Sequence, residues 1–427
     1  MKHRIVIVGG GAGGIELATR LGKTLGRRNH ATITLVDANL THIWKPLFHE
    51  VAAGSLNPGV DELNYIAQAK WNHFHFQHGR MAGIDRTSKA VRLTAPSGSS
   101  WQEREIEYDT LVMAVGSHCN DFATPGVQQH CQFLDSRAQA ERLHGVLLNR
   151  YMRSHASDTA HPLEIAIVGA GATGVELCAE LQHAVRVIKG YGVKHACPST
   201  LNITLLEAGP RVLPVLNEKA SQAVHNGLNE LGINVRVGTA VKEVTENGVV
   251  LADGETLNAD LKIWAAGIKA PEFLKTLDGL ETNRINQLNV KRTLQTTLDD
   301  SIFAIGDCSS CPLDDTSGRF VPPRAQAANQ QAALLCKNLE RHLDGEPLLD
   351  FKYEDKGTLI SLASFDAIGS LSGIFSGKVI TRGLIAKTLY TSLYRLHQAA
   401  LYGTPRMLLK ALAEYLQRKT RPKLRLH

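Results

Sequence analysis

Two short β-branched runs, each followed by glycines and a helical pattern, organise the first half of the chain. Residues 5–8 and 165–168 are apolar at every position. Runs without polar alternation are typical of strands that are buried on both faces of a parallel sheet. The glycines after them lead into helical patterns at residues 15–25 and 175–188. The pattern therefore predicts two strand–turn–helix units of the α/β class.

The first glycine run has the spacing G-x-G-x-x-G, at Gly9, Gly11 and Gly14. The first glycine of this motif permits a tight turn, the second lets a pyrophosphate approach the backbone, and the third lets helix and strand pack closely. The helix N-terminus offers free N–H groups to the phosphates. A second predicted strand, residues 32–36, ends at Asp37, where an acid can accept hydrogen bonds from both ribose hydroxyls. This order of elements predicts a bound dinucleotide.

The second unit repeats the spacing at Gly169, Gly171 and Gly174. Its second predicted strand, residues 201–206, ends at Glu207, 33 residues after Gly174, because residues 189–200 form an insertion. A carboxylate at the ribose favours NADH, since it would repel the 2′-phosphate of NADPH. Arg211 nearby would weaken that preference. Two such units indicate two nucleotides, of which the simplest pair is one bound flavin and one exchangeable nicotinamide.

The rest of the chain adds three strands that end in small-residue turns, at residues 108–117, 261–271 and 293–308. The last of them ends in Gly306 and Asp307. With these features, residues 1–345 resemble the flavoprotein superfamily that has two dinucleotide-binding domains. In that superfamily the first glycine motif and the late Gly-Asp pair bind FAD, and the middle motif binds NAD(P)H.

Cysteines narrow the choice within this superfamily. The seven cysteines show no disulfide framework, which favours a reducing compartment. Residues 41–55 contain none, so the subfamily of disulfide reductases is excluded. Cys308 and Cys311 form a C-x-x-C that follows the Gly-Asp turn, where incidental small residues are favoured over a redox pair or half a metal site. Sulfide:quinone oxidoreductases use cysteines at the flavin, and Cys131 and Cys336 are the conceivable candidates here.

More specific runs point to one family. They are residues 42–56, 171–181, 281–290 and 319–330, together with a basic C-terminus. With them the whole chain resembles the type II NADH dehydrogenases, single-subunit NADH:quinone oxidoreductases that do not pump protons, and it is most similar to the bacterial ones. The resemblance implies non-covalent FAD, NADH as substrate, and a membrane quinone of the ubiquinone or menaquinone type as acceptor.

The resemblance also implies site residues at matching positions. For FAD these are Gly9, Gly11, Gly13, Gly14, Asp37 and Asp307, with Lys45 and Pro46 beside the flavin ring, Met81 at the adenine end, and Ala327 between flavin and quinone. For NADH they are Gly169, Gly171, Gly174, Glu207 and Gly267. The resemblance assigns catalysis to Glu176 and Gln326, and it implies no metal site.

Physical chemistry makes both catalytic residues plausible. Glu176 lies in the first turn of a predicted helix, and a carboxyl there could relay the protons of quinol formation if desolvation raised its pKa. The alternative is that Glu176 only completes the helix N-terminus or hydrogen-bonds NADH. Gln326 has a neutral amide that could orient a quinone carbonyl. The alternative is that Gln326 only caps the next helix.

The last 50 residues carry eleven Lys and Arg against one acid, Glu414. Ile385, Leu389, Leu393, Leu396 and Ala400 fall on one helical face, and a second helix begins at Thr404 and Pro405. Tyrosines and cations flank both apolar faces, as in helices that lie in a membrane interface. The alternatives are helices packed on the protein body or a dimer interface. No run of 18 apolar residues predicts a spanning helix, and no signal peptide is expected.

These expectations combine into one prediction. The fold class is α/β, with two Rossmann-type domains, for FAD and NADH, and a C-terminal amphipathic helical region that binds membranes. The domains are expected at residues 1–118 and 289–345 for FAD, 119–160 as a connection, 161–288 for NADH and 346–427 for the membrane. The enzyme is expected on the cytoplasmic side of the inner membrane. It would bind anionic lipid through residues 383–427 and no nucleic acid, and both a monomer and a homodimer are compatible with the sequence. A flavin-bound sensor whose basic tail meets nucleic acid is the rival from another class.

Overall fold

The computed structural model describes residues 2–95, 102–156, 162–192, 200–363, 366–371, 379–382, 384–417, 420, 422 and 424–425. These residues form two compact units, and each consists of several segments of the chain. The first unit comprises Met1–Trp44, Glu62–His118 and Ile268–Glu354. The second comprises Lys45–Asp61, Cys119–Gly267 and Asp355–His427.

The described strands follow one another along the chain in this order. They are β1 (His3–Val8), β2 (Ala31–Asp37), β3 (Thr41–His42), β4 (Leu63–Asn64), β5 (His75–His78), β6 (Arg80–Asp85), β7 (Ala90–Thr94), β8 (Arg104–Glu107), β9 (Thr110–Met113), β10 (Cys131–Phe133), β11 (Leu163–Val168), β12 (Leu201–Leu206), β13 (Asn234–Arg236), β14 (Val241–Val244), β15 (Gly248–Leu251), β16 (Thr256–Asn258), β17 (Leu261–Trp264), β18 (Leu288–Asn289), β19 (Ile302–Ala304), β20 (Ser309–Ser310), β21 (Gly357–Leu362), β22 (Asp366–Leu371) and β23 (Val379–Arg382).

The described α-helices lie between these strands and after them. They are α1 (Ala12–Leu21), α2 (Phe48–Ala53), α3 (Pro58–Asp61), α4 (Tyr65–Trp71), α5 (Val127–His130), α6 (Arg137–Ala156), α7 (Ala172–Gly190), α8 (Glu218–Glu230), α9 (Ala325–Leu343), α10 (Leu384–Tyr402) and α11 (Thr404–Gln417). A π-helical turn, Gly22–Gly26, continues α1.

The first unit is built on a parallel sheet with the strand order β19-β9-β1-β2-β5. Strand β1 lies at its centre and pairs in parallel with β2 and β9. The apolar side chains of β1 are buried, as expected for a strand that is covered on both faces. Helices α1 and α9 pack against each other, and the antiparallel strands β6, β7 and β8 form a separate small sheet.

The second unit repeats this design with the strand order β10-β17-β11-β12-β13. Strand β11 takes the central place and pairs in parallel with β12 and β17. Strands β14, β15 and β16 form an antiparallel sheet, and β21, β22 and β23 form another. Helix α2 packs on α6 and α7, and α7 also packs on β21. The predicted α/β class with two parallel-sheet units is confirmed.

Most of the predicted strand and helix boundaries are right to within a few residues. The largest differences are at the starts of α1 and α7. The predicted strand over residues 201–206 coincides with β12. The predicted helices began at residues 15 and 175, whereas α1 and α7 begin at Ala12 and Ala172. Gly11 and Gly171 take the N-cap positions without any side-chain cap. Each helix therefore starts within its glycine motif, where the apolar periodicity has not yet begun.

The compact units divide the chain at different places from the predicted domains. Lys45–Asp61 belongs to the second unit, because α2 within it packs on α6 and α7. The NADH domain was predicted to end at residue 288, whereas the chain passes from the second unit to the first between Gly267 and Ile268. Asp355–His427 belongs to the second unit, since β21 packs on α7. The predicted C-terminal region began at residue 346, whereas the last segment of the second unit begins at Asp355.

The C-terminal part holds two helices with a sharp break between them. Gly403, with φ at 80°, separates α10 from α11, and α11 begins at Thr404 as predicted. Among the described residues, none of the helices has the length and apolar character needed to cross a membrane. The side chains of Ile385, Leu389 and Leu393, which the predicted apolar face includes, lie outside the described residues.

Candidate functional site

The glycine turn of the first unit is fixed by the packing of the strands and helix around it. Gly9 has φ at 102°, and a Cβ on it would lie 2.4 Å from the carbonyl oxygen of Ala114. A Cβ on Gly14 would lie 1.8 Å from the carbonyl oxygen of Gly9. By contrast, the nearest atom to a Cβ on Gly11 would be 4.0 Å away. The first and third glycines are thus required by the fold, while the second borders open space at the N-terminus of α1.

The second unit has the same division of roles. Gly169 has φ at 103°, and its Cβ would lie 2.7 Å from the Cα of Ala266. A Cβ on Gly174 would lie 2.0 Å from the carbonyl oxygen of Gly169, whereas one on Gly171 would meet nothing within 4 Å. Each unit therefore presents an uncrowded helix N-terminus, a geometry that suits a phosphate group.

The two acids after the second strands make equivalent hydrogen bonds. Asp37 Oδ2 accepts from the backbone N–H of Gly10 at 2.7 Å, and its Oδ1 accepts from that of Asn39 at 2.8 Å. Glu207 Oε2 accepts from the N–H of Ala170 and its Oε1 from that of Gly209, both at 2.8 Å. The insertion before Glu207 thus leaves the acid in the position that Asp37 has. Asp37 Oδ1 also accepts from the side-chain amide of Asn39 at 3.0 Å, so a further donor such as a ribose hydroxyl would bind Asp37 Oδ2 or either oxygen of Glu207.

Burial changes the pKa of the Asp37 carboxyl. Desolvation raises its pKa, and the hydrogen bonds from Gly10 and Asn39 oppose that rise. Tyr65 closes the other side of the turn, because its hydroxyl donates to the carbonyl oxygen of Gly10 at 2.7 Å. Tyr65 is fully buried, so that its ring supports the glycine turn from beneath. No sequence pattern pointed to Tyr65, because tyrosine has no place in the glycine motif.

Asp307 is held at the end of β19 in the first unit. Its Oδ2 accepts from the hydroxyl of Ser117 at 2.8 Å, and its carbonyl oxygen accepts from the amide of Gln287 at 2.8 Å. Gly306 before it has φ at 73°, and its N–H donates to Gln331 Oε1 at 2.7 Å. These bonds fix the Gly-Asp turn. Ser117 and Gln331 are further residues of this turn that the sequence did not reveal.

Helix α9 brings the Ala-Gln-Ala run to the first glycine turn. Ala327 is buried in its first turn, and a Cβ on Gly13 would lie 3.3 Å from the Cβ of Ala328. Gln326 is partly exposed at the second position of α9, whose N-cap Arg324 makes no side-chain capping bond. Met81 is buried on β6, in the same unit.

Lys45 and Pro46 belong to the second unit, unlike the other residues expected around FAD. They form a 3-10 turn that precedes α2. The ammonium group of Lys45 lies 3.5 Å from Asp135 Oδ1. Gly267, at the other end of this unit, has φ at 62°, and a Cβ on it would lie 2.5 Å from the ring of Phe122.

Glu176 is buried on α7 with few partners. Its Oε1 accepts from the backbone N–H of Ser361 at 3.0 Å, and its Oε2 lies 3.6 Å from His49 Nδ1. Burial, together with the negative charges of Glu50 and Glu180, raises the pKa of Glu176 to about 8, although the hydrogen bond from Ser361 acts to lower it. At neutral pH this carboxyl therefore carries a proton that it can donate.

The cysteines of interest are buried, and none has the character of a reactive thiol. Burial raises the pKa of Cys308 to about 11 and that of Cys311 to about 12. Burial also raises the pKa of Cys131 to about 12 and of Cys336 to about 11. The Cys308 thiol donates to the carbonyl oxygens of Ile305 and Met113, as an incidental buried cysteine does. Among the described residues, no cluster suits a metal ion.

Comparison with known proteins identifies a family match and close relatives. The pyridine nucleotide-disulphide oxidoreductase family matches residues 3–332. The type II NADH:quinone oxidoreductase of Haemophilus influenzae is 47% identical over 447 aligned positions, which cover 100% of both chains. The protein of the same name from Staphylococcus aureus is 30% identical and covers 87% of this chain and 90% of its own.

Solved structures agree on the fold. The structure of NDH2 from Plasmodium falciparum in complex with NADH superposes with a TM-score of 0.84 at 18% identity, over 100% of both chains. The sulfide:quinone oxidoreductase of Aquifex aeolicus has a TM-score of 0.73 at 18% identity, over 94% of this chain and 92% of its own.

Proposed function

The chain belongs to the type II NADH:quinone oxidoreductases, within the pyridine nucleotide-disulphide oxidoreductase family, and we propose that it oxidises NADH and reduces a membrane quinone through one bound FAD. The observation that carries this proposal is the pair of matched cradles, each an open glycine turn with an acid bonded to it. One cradle serves a resident nucleotide and the other an exchangeable one. Membership of a family whose name includes both substrates then assigns the reaction.

The first unit suits FAD. Gly11 leaves the N-terminus of α1 open to a pyrophosphate, Gly9, Gly13 and Gly14 shape the turn around it, and Asp37 would bind the ribose. Asp307, fixed by Ser117, would meet the ribitol, and Met81 and Ala327 would complete the part of the site that lies in this unit. FAD held by these residues would supply the redox chemistry, namely acceptance of a hydride from NADH and transfer of two electrons to a quinone.

The second unit suits NADH. Gly171 borders open space at the N-terminus of α7, and Gly169, Gly174 and Gly267 shape the turns around it. Glu207 presents its carboxylate where a ribose hydroxyl would bind, and its charge opposes the 2′-phosphate of NADPH. The guanidinium of Arg211 donates to the carbonyl oxygen of Pro214 at 3.1 Å, so that it is engaged in its own loop. NADH is therefore the preferred nucleotide.

Glu176 and Gln326 act on the quinone in this proposal. Quinol formation takes up two protons as well as two electrons, and Glu176 is the buried carboxyl that holds a proton at neutral pH. Gln326, partly exposed in the first turn of α9, would orient a quinone carbonyl through its amide.

Helix α11 would place the enzyme on the membrane that holds the quinone. Its exposed large apolar side chains fall on one helical face and are Leu408, Leu409, Leu412, Tyr415 and Leu416. Each is more than half exposed, and together they form a surface of the kind that marks an interaction site. With the surrounding cations, this face suits the interface of an anionic membrane. We assign the enzyme to the cytoplasmic side, as a peripheral protein.

The proposal is tested on the purified protein by cofactor release and turnover. Heat-released flavin should chromatograph as FAD, and NADH oxidation should require an added soluble quinone analogue. Sulfide in place of NADH should reduce no quinone. Turnover with sulfide that depends on Cys131 or Cys336 would overturn the proposal in favour of the related sulfide:quinone oxidoreductases.

A further inference from the structure

Two carboxyls flank the imidazole of His49 in the second unit, and only one of them is buried. His49 lies on α2 and is 3% exposed. Its Nδ1 is 3.6 Å from Glu176 Oε2, and its Nε2 is 4.0 Å from Glu50 Oε1. The side chain of Glu50 is 26% exposed, whereas that of Glu176 is 7% exposed. The imidazole thus lies between a carboxyl that reaches solvent and one that does not.

The first unit provides an internal comparison. Glu16 occupies the same place after Gly14 that Glu176 occupies after Gly174. One turn later α1 has Arg20, which donates to Glu16 Oε1 at 2.7 Å, whereas α7 has Glu180 at the same position. Burial raises the pKa of Glu16 as well, but the ion pair with Arg20 opposes that rise. The carboxyl of the second unit meets another acid, which favours a proton on it.

Glu180 is itself fixed beside this group. The hydroxyl of Ser55 donates to Glu180 Oε1 at 2.9 Å and links the end of α2 to α7. The other elements that pack on α7 have little electrostatic effect on the pKa of Glu176. Strands β12 and β21 have no titratable residue, and Glu164 of β11 and the charged side chains of α8 have no part in the shift of its pKa. Two further elements pack on α2 and carry titratable residues. Helix α6 has the buried His144, and the 3-10 turn before α2 has Lys45.

We propose that Glu50 and His49 form the route by which a proton from solvent reaches Glu176. This inference rests on the proposed function, because Glu176 must be reprotonated each time it donates to a quinone. Glu50 takes a proton from water and passes it to the near ring nitrogen of His49, while the far nitrogen releases its proton to Glu176 Oε2. The step starts from a protonated Glu50, an Nδ1–H imidazole and an ionised Glu176, and it ends with an ionised Glu50, an Nε2–H imidazole and a protonated Glu176. No electrons move, and the imidazole returns to its first tautomer before the next turnover.

The imidazole of His49 is suited to passing a proton on rather than to holding one. Burial lowers the pKa of His49 to about 4, and a hydrogen bond to the backbone carbonyl of Pro46 acts in the opposite direction. The ring is therefore neutral, with one nitrogen able to accept as the other donates. Both distances are longer than a hydrogen bond, so transfer requires each carboxylate oxygen to move about 1 Å closer to the ring. His49 and Glu50 are positioning residues, since they act through Glu176.

The test compares His49→Gln and Glu50→Gln with His144→Gln in the FAD-loaded protein. His144 is a matched control because it is another buried histidine of the same unit, on α6. Anaerobic rapid mixing measures flavin reduction by NADH and flavin reoxidation by a soluble quinone separately. The first two variants should slow reoxidation by about tenfold or more and leave reduction unchanged. The control should change neither rate.

Two further readouts separate a relay from a structural role. In His49→Ala, added imidazole should restore reoxidation, which a packing defect would not allow. An infrared pH titration of the resting holoenzyme should show the Glu176 carboxylic-acid band in His49→Gln as in the wild type. In Glu180→Gln the midpoint of that band should move to lower pH.

The inference is overturned if His49→Gln reoxidises at the wild-type rate, if it slows both half-reactions alike, or if imidazole does not rescue His49→Ala. Each of these results leaves the proposed function intact, because the wild-type protein still uses a quinone. Failure of the wild type itself to be reoxidised by the quinone would instead reject the proposed function.

Discussion

Glu176 couples the stability of the protein to pH. Its pKa in the folded state is raised to about 8 from the ordinary 4.5, mainly by burial. A raised carboxyl pKa stabilises the folded state fully below the unfolded value, and this stabilisation is lost as the pH rises through the folded value. We therefore expect the melting temperature of the wild type to fall between about pH 5 and about pH 9, and that of Glu176→Gln to fall much less.

Differential scanning calorimetry of both proteins across this pH range measures the effect. Glu230→Gln is the control, because Glu230 is exposed at the end of α8. Parallel pH profiles for wild type and Glu176→Gln would show that Glu176 does not carry a proton in the folded protein. Its part in quinone reduction would then have to be abandoned.

At the residue scale, the sequence predicted the types of the site residues better than their surroundings. Gly9, Gly14, Asp37 and Asp307 were found because a motif prescribes them. Tyr65, His49 and Glu180 were not found, because their places depend on which helix packs on which. Such contacts join residues that are far apart in the chain and follow no fixed spacing. The roles assigned to the site residues stay predictions.

At the element scale, each glycine motif separates residues that shape the turn from one that leaves room for a ligand. A Cβ on Gly171 meets nothing within 4 Å, while one on Gly174 would lie 2.0 Å from the carbonyl oxygen of Gly169. We expect Gly171→Ala to fold with an unchanged melting temperature and to bind NADH more weakly. Gly174→Ala should lose about 1–3 kcal/mol of stability or more, since the backbone must move.

Thermal denaturation and NADH titration of the two variants check this difference. Gly11→Ala in the first unit should behave like Gly171→Ala, with lower FAD content in place of weaker NADH binding. If Gly171→Ala unfolded, or if it bound NADH as well as the wild type, the open face at α7 would not be the nucleotide cradle.

The exposed apolar face of α11 is the proposed membrane contact. The side chains of Leu409 and Leu412 are exposed, so replacing both by serine should cost little stability and should abolish sedimentation with anionic liposomes. Val215→Ser is the control, because Val215 is equally exposed on a loop of the same unit. Unchanged liposome binding of the double variant would exclude this helix face as the membrane contact.

Point variants test the tail more cleanly than removal of residues 383–427. Leu401 and His397 of α10 are buried, and α10 packs on β21. Arg395 of α10 forms an ion pair with Glu414 of α11 at 2.5 Å. A deletion would therefore uncover part of the second unit, and loss of membrane binding would have two explanations. The periodicity predicted both helices and their break, but not which of their faces would be buried.

At the scale of the whole molecule, the two-unit fold and the family were both predictable from the sequence, and both are confirmed. Two strand–glycine–helix–strand–acid series are long and specific patterns, which local sequence encodes. The assignment of Lys45–Asp61 to the second unit was not predictable, because it depends on the packing of α2 against two distant helices. Membrane association, FAD and the site roles remain proposals.

The central claim is that one chain carries out both half-reactions, and one anaerobic experiment tests it most directly. The purified yellow protein is mixed with NADH, the flavin absorbance is followed, and a soluble quinone analogue is then added. We expect NADH to bleach the flavin and the quinone to restore its colour. Bleaching without recovery would contradict quinone as the acceptor, and no bleaching by NADH would contradict the assignment of the second cradle.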